Sequence, residues 1–275
     1  MSGTSVARAA PAAERRQPVA VSDKYTVERI TEVRGWTPHL FSFKTTRYRG
    51  YRFEPGQFAR LGLPKEDGSI VWRAYSIVSA SYDEHLEFYS IVVPGGEFTS
   101  RLSALEAGDE IYVEKMAYGF LTTARFEGGK DLWMLSTGTG LAPFISILYD
   151  FAVWEHFDNL VLVHGVRHRD ELAYEELIRG LADHELFGET VHKLRYVQAV
   201  TREQVPGALQ GRITTLVESG ALERETGIPL DHDRSRIMIC GNPEMVEDSR
   251  KLLTGRGFQL SRRGKPAHLA VENLW

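Results

Sequence analysis

The feature that most restricts this chain is a change of hydrophobic period near Glu127. Before it, from about Tyr25 to Phe126, the apolar residues come in short runs. LFSFKTTR, QFARLGL, RAYSIVSA, HLEFYSIVV and EIYVEKM alternate or are rich in β-branched and aromatic side chains. EPG, PKEDGS, PGG and EAGD, all turn formers, separate them. Closely spaced short strands predict an antiparallel barrel or sandwich. One helix is expected to interrupt them in TSRLSAL, with Thr99 and Ser100 as N-cap residues and an end before Gly108.

After EGGK the grammar is strand–helix alternation. DLWMLS precedes the helical PFISILYDFAVWEHF, and NLVLVHGV precedes ELAYEELIRGLADH. KLRYVQAV is followed by GRITTLVESGAL, RIMIC by PEMVEDSRKLLTGRGF, and HLAVENLW reads as a last strand. Buried Val, Ile and Leu runs between amphipathic helices predict a doubly wound parallel sheet. The expected organisation is a disordered tail over 1–20, a β-barrel domain over 21–127 and an α/β domain over 128–275.

Composition narrows the function. The 275 residues suffice for two ordinary domains. A net charge of -4 argues against broad nucleic-acid binding, which needs a basic surface. The single cysteine, Cys240, excludes an intramolecular disulfide, a Cys-ligated zinc site and an iron–sulfur cluster held by this chain's own thiolates. No metal site is assigned. A lone thiol suits a reducing cytosol, and no apolar run is long enough to span a bilayer. The start, MSGTSVARAAPAAERRQPVA, lacks a secretory apolar core. It reads as a tail, with a transit peptide as the competing reading. A cytoplasmic monomer is expected.

Two short stretches carry chemistry. STGTGLAPF (Ser136 to Phe144) puts Gly138 and Gly140 at the end of the first α/β strand, with Pro143 where a helix should begin. Glycines admit a ligand close to the backbone, and free N–H groups at a helix start attract an anion. The stretch is neither G-x-G-x-x-G nor a Walker motif, and it lacks the Lys that ATP chemistry needs. A tight turn without ligand remains open on these residues alone. RAYS (Arg73, Ala74, Tyr75, Ser76) places a guanidinium, a phenol and a hydroxyl inside an apolar strand. Those groups could fork onto a phosphate, cover a planar ligand and bond a ring nitrogen. An exposed edge strand is the plainer alternative.

RAYS, EFYSIVVPGGEFTSRL, LSTGTGLAPF and CGNPEM, in that order, resemble the ferredoxin–NADP reductase family, most closely its bacterial ferredoxin/flavodoxin group. The likeness covers about Val21 to Trp275. It implies an FAD-binding barrel followed by an NADP-binding α/β domain. It implies that Arg73 pairs with the FAD pyrophosphate, Tyr75 lies against the flavin and Ser76 bonds near its N5, with Ala74 between them. Tyr89, Ile91 and Val92 would line the flavin, and Gly96, Phe98, Thr99 and Ser100 would carry the pyrophosphate. Leu274 and Trp275 would return to the flavin and its adenine.

On the nucleotide side the resemblance gives Thr137, Gly138, Thr139, Gly140 and Pro143 to the NADP pyrophosphate. Cys240, Gly241, Asn242 and Met245 would sit at the nicotinamide. Arg167, Arg202 and Arg212 would reach a 2′-phosphate; three solvated arginines are the alternative. Ser76, Cys240 and Glu272 are the implied catalytic set, although Glu272 taken alone reads as a surface glutamate.

The implied activity is hydride transfer from NADPH to FAD and electron delivery to ferredoxin or flavodoxin. TTRYRGYR (Arg47, Arg49, Arg52) and SRRGK (Arg262, Arg263, Lys265) are candidate docking patches for such acidic carriers. An oxygenase reductase component, a flavin reductase and a non-catalytic nucleotide sensor are the competing readings.

Overall fold

The computed structural model describes residues 22–273. The expected tail over 1–20, and Leu274 and Trp275, lie outside the described residues. Within them the first half contains β1 (Tyr25–Gly35), β2 (Leu40–Thr46), β3 (Phe58–Pro64), β4 (Ile70–Ser76), β5 (His85–Ile91), α1 (Glu97–Leu102) and β6 (Glu110–Glu114). β1 is the longest of these strands, yet most of its positions are exposed and its apolar signal is weak.

These strands pair antiparallel in the order β4-β3-β6-β1-β2-β5. The two ends meet beyond β4, where Ile77 bridges Phe88 and the Val78 N–H donates to the Glu87 carbonyl at 2.9 Å. The sheet therefore curls into a barrel, and β4 is not a free edge. Phe43, Leu61, Phe88, Phe98 and Ile111 fill its interior.

The second half contains β7 (Asp131–Thr137), α2 (Ala142–Leu148), α3 (Phe151–His156), β8 (Asn159–Val166), α4 (Glu175–Gly180), β9 (Leu194–Val200), β10 (Leu209–Gln210), α5 (Ile213–Glu218), α6 (Ala221–Thr226), β11 (Ser235–Cys240), α7 (Pro243–Gly255) and β12 (Leu269–Glu272). Its strands are all parallel, in the order β10-β9-β8-β7-β11-β12. The apolar runs of β7, β8 and β11 are buried almost throughout because both sheet faces are covered. Leu216, Val217, Val246 and Leu253 pack on one face.

On the other face Phe144, Ile145, Trp154 and Ile178 join Leu40, Val78, Tyr89 and Leu121 of the barrel in one cluster. The two halves thus share a hydrophobic core.

Three helices differ from the sequence expectation. The helix in the barrel half starts at Glu97 with Gly96 as N-cap, so Thr99 and Ser100 lie inside it. Thr99 Oγ1 instead accepts from the Val93 N–H at 3.1 Å and tightens the preceding turn. PFISILYDFAVWEHF breaks at Tyr149–Asp150, because the Asp150 side chain caps a new helix by accepting from the Ala152 N–H. ELAYEELIRGLADH is α-helical over Glu175–Gly180, between short 3₁₀ turns. Its break is at Tyr174, the one non-glycine residue with positive φ (62°) among those described. A bulky left-handed residue costs about 1–3 kcal/mol and needs compensation from its surroundings.

Phe144 is wholly buried in the shared cluster. Phe144→Ala should lower the unfolding free energy by about 3–5 kcal/mol, checked by denaturant melting.

Candidate active site between the barrel and the parallel sheet

β7 is flanked by β8 on one side and by β11 on the other. The chain winds outward to β10 and then returns to β11, so the winding direction reverses between β7 and β11. Ligands in open α/β sheets bind in the crevice outside the strand ends at such a reversal. Here that crevice opens toward the barrel.

Gly140 leaves β7 and runs against the backbone of the β11 end. A Cβ on Gly140 would collide with the Cys240 carbonyl and the Gly241 Cα. Gly241 has φ 136°, and a Cβ there would strike Thr137. Glycine is required at both positions for the same reason: two strand ends lie in contact. The Asn242 N–H donates to Thr137 Oγ1 at 2.9 Å and stitches them together. Asn242 Oδ1 then accepts from the Glu244 and Met245 N–H groups, at 3.0 and 3.2 Å, and starts α7. Pro143 is the second residue of α2, buried, where its missing N–H leaves no unpaired donor.

A cavity of ≈ 340 Å³ lies between this junction and the barrel. Its wall comprises Arg73, Ala74, Tyr75 and Ser76 of β4 and Tyr89, Ser90 and Ile91 of β5. Val93, Gly96, Glu97, Phe98 and Thr99 form the turn into α1 along one side. Thr139, Gly140, Cys240 and Gly241 close it from the α/β half. RAYS, the glycine turn and Cys240, remote in sequence, therefore meet in one space.

Among the residues singled out from sequence, Val92, Ser100, Thr137, Gly138, Pro143, Asn242 and Met245 do not line this cavity. They belong to the turns and helix starts that support it. Ser90, Val93 and Glu97 line it and are missed by sequence reasoning. Ser90 alone left a trace, a hydroxyl within the apolar run FYSIVV. Its Oγ lies 3.0 Å from the Tyr75 hydroxyl and fixes that ring. Burial pushes the Tyr75 phenol up to about 12, so it stays protonated.

Arg73 is exposed at the rim, its NH1 donating to the Trp72 carbonyl at 2.8 Å. No carboxylate among the described residues pairs with it. Cys240 is 4% exposed at the cavity floor. Burial first, then the neighbouring Glu272 carboxylate, push its thiol far above the ordinary range. It is a neutral, compact wall atom and not a thiolate.

Glu272 corrects its surface reading. It pairs with Cys240 across β11 and β12. Its Oε2 is sealed from solvent with no hydrogen-bond partner among the described residues. Burial raises the carboxyl to about 7, against a smaller opposing effect of the Phe120 backbone. Sequence pattern alone does not give this, because the carboxyl lies against Gly119 of the barrel half, far away in the chain.

Arg167 and Arg202 follow β8 and β9, where the Arg202 N–H donates to the Arg167 carbonyl at 3.0 Å. Arg212 is the N-cap of α5. All three are exposed, and their guanidiniums make no ion pair with a described residue. Arg169, between them in sequence, is taken by Glu175.

Comparison with known proteins gives the class first. Residues 25–117 match the oxidoreductase FAD-binding domain model, and residues 134–251 match the oxidoreductase NAD-binding domain model. The chain is a flavin- and pyridine-nucleotide-dependent oxidoreductase. It is 48% identical to a ferredoxin–NADP reductase of Azotobacter vinelandii over 90% of this chain and 97% of that one. It is 41% identical to a flavodoxin/ferredoxin–NADP reductase of Escherichia coli over 90% of this chain and 97% of that one. A crystal structure of a ferredoxin–NADP+ reductase from Neisseria gonorrhoeae with bound FAD and NADP superposes with TM-score 0.86 at 37% identity, covering 92% of this chain and 100% of that one. The protein belongs to the ferredoxin–NADP reductase family.

Glu272 yields a pH prediction. Its folded pKa lies above the ordinary 4.5, so the folded protein keeps a proton that the unfolded chain releases. The associated stability is complete below about 4.5 and is lost as pH rises to about 7. Relative to Glu272→Gln, the wild type should therefore lose about 2–3 kcal/mol across that window, read from thermal melts at several pH values.

Proposed function

We propose that the protein carries electrons between NADPH and ferredoxin or flavodoxin, acting as a cytoplasmic monomer. The supporting observation is the single cavity that joins RAYS to the glycine turn and Cys240. When bound, FAD supplies the chemistry, taking two electrons as hydride and returning them singly. The residues fit such a group. Tyr75, Tyr89, Ile91, Val93 and Phe98 form an apolar and aromatic wall for flat rings. Arg73 is an unpaired cation suited to a pyrophosphate, and the Gly96–Ser100 turn offers further N–H groups.

In this reading the 21–127 unit holds FAD and the 128–275 unit holds NADP. Tyr75 and Tyr89 fix the plane of the flavin rings, with Val92 behind Ile91. The Ser76 hydroxyl and the Cys240 thiol, both nearly buried, exclude water from the reacting face. Burial raises the Glu272 carboxyl beside Cys240 to about 7, so it is only partly ionised at neutral pH. Thr137 to Gly140 seat the nucleotide pyrophosphate, and Gly241, Asn242 and Met245 shape the nicotinamide side. Rapid mixing with NADPH and then with each carrier tests the reading. Yellow protein that NADPH does not bleach would overturn it.

The unpaired guanidiniums of Arg167, Arg202 and Arg212 suit the NADP 2′-phosphate. Arg202→Ala should raise the apparent KM for NADPH by about tenfold and leave that for NADH nearly unchanged, in steady-state reductase assays. Equal effects on both would remove the assignment.

Carrier docking has a more specific geometry than the two basic patches suggest. Arg47 is occupied, donating to the Ser81, Asp83 and Tyr51 carbonyls, and drops out. Arg52 is likewise bonded to the Arg49 and Tyr51 carbonyls, and the face instead centres on two exposed apolar residues, Met116 and Phe120. Lys115 lies 5.8 Å from the Tyr48 ring on one side. Arg125 lies 5.4 Å from the Phe120 ring on the other and bonds the Ser261 carbonyl, which brings Arg262, Arg263 and Lys265 alongside. An acidic carrier with a hydrophobic centre complements this face. Met116→Glu should slow carrier reduction about fivefold at low ionic strength, while NADPH-driven flavin bleaching is retained.

A further inference from the structure

Tyr174 presents a conflict that the cavity does not explain. Its φ of 62° is the conformation glycine adopts without penalty, yet the position holds a large aromatic residue, 2% exposed. Such an outlier persists where the surrounding contacts over-determine it. Its directed polar and ring contacts come from the barrel half, within the cluster the two halves share. The hydroxyl donates to Glu87 Oε1 of β5 at 2.8 Å. The ring lies 4.7 Å from Trp36 and meets Tyr89 edge-on at 5.3 Å. Trp36 is itself held by its Nε1–H to Ser42 Oγ at 3.2 Å.

The partners connect to both walls of the cavity. Tyr89 is a cavity residue, and Glu87 is two positions before it on β5. The Glu87 N–H donates to Ser79 Oγ at 2.5 Å, and the Ser79 carbonyl accepts from Ser146 of α2 at 2.8 Å. α2 follows the glycine turn directly. A closed circuit therefore runs from the glycine turn through α2, Ser146, Ser79, Glu87 and Tyr174 back into the α/β half.

We infer that Tyr174 is a positioning residue for hydride transfer, its strained backbone and buried hydroxyl clasping Glu87 so that the glycine turn and the Tyr89 wall keep a fixed separation. The inference rests on the hydride-transfer reading of the cavity. Left-handed backbone turns the Tyr174 ring toward the barrel, and a relaxed helical residue there would not make this contact. Glycine would relieve the strain and lose the clasp.

The charged and titratable groups facing Glu87 are Lys44 of β2, His85 of β5, Glu32 of β1, Tyr174, and Tyr149 at the end of α2. Burial keeps its carboxyl above the ordinary range. The phenol's own proton stays on, because burial and Glu87 hold it far above neutrality. The clasp therefore survives with either protonation state of Glu87.

Three variants of the FAD-loaded full chain test this: Tyr174→Phe, Glu87→Met and Glu87→Gln. The first two remove one end of the bond, and the third keeps an oxygen acceptor. Flavin reduction at saturating NADPH should slow about tenfold in Tyr174→Phe and Glu87→Met, with little change in KM, because a small misplacement costs rate more than binding. Glu87→Gln should retain most of the wild-type rate. The nicotinamide–flavin charge-transfer absorbance should weaken in the first two. Amide exchange over 85–91 and 173–178 should accelerate there.

If Tyr174→Phe does not fold, Glu87→Met reads the same bond from the other side. Wild-type rates and absorbance in Tyr174→Phe or Glu87→Met overturn the inference, as does equal slowing in Glu87→Gln. Failure of NADPH to bleach the wild type would instead overturn the underlying reading.

Discussion

The contact on which the site depends is backbone against backbone. Gly140 lies on the Cys240–Gly241 peptide, and Gly241 lies on Thr137. Side chains at either glycine would hold β7 and β11 apart at their carboxyl ends. With both absent, the Thr137–Asn242 hydrogen bond closes the junction. The glycine turn and Cys240 then face the same crevice, and α2 and α7 start from fixed points beside it. A polar motif and a lone thiol become one surface because two strand ends need no room between them.

The barrel reaches that crevice through a shared interior. Domains within a chain often join through modest, partly polar interfaces that permit relative motion. Here Leu40, Val78, Tyr89 and Leu121 of the barrel are buried in one cluster with α2, α3 and α4. The two walls of the cavity are thereby held by hydrophobic packing, and Tyr174 adds a directed polar bond to it. Burial also sets the chemistry of the floor. Cys240 stays a neutral thiol, and Glu272 holds its proton until about pH 7. Both effects come from desolvation, which disfavours the charged form of each acid.

Most of the architecture is legible in the sequence. The period change near Glu127 separates the antiparallel from the parallel sheet, and the apolar runs after it match β7, β8, β9 and β11. β1 is less legible because its outward residues are charged and few of its positions are buried. Helix interiors are read less well than strands. Asp150 and Tyr174 break two helical patterns for reasons of capping and tertiary contact, while apolar spacing alone continues through both. At the cavity, RAYS, the glycine turn and Cys240 are recognisable as unusual residue types in apolar surroundings. Ser90, Val93 and Glu97 carry no such mark, since their role depends on which way a turn faces.

The sequence by itself determined the two fold grammars, the glycine turn at the end of β7 and the family to which the chain belongs. These follow from local rules: hydrophobic period, turn chemistry and motif order are properties of neighbours along the chain. The tertiary structure decided that Glu272 is a half-buried acid with one carboxyl oxygen sealed from water, that Arg47 is structural, and that a strained tyrosine joins the halves. Each of these depends on desolvation or on a partner distant in sequence. Only the packing of the barrel against the parallel sheet brings those partners into contact.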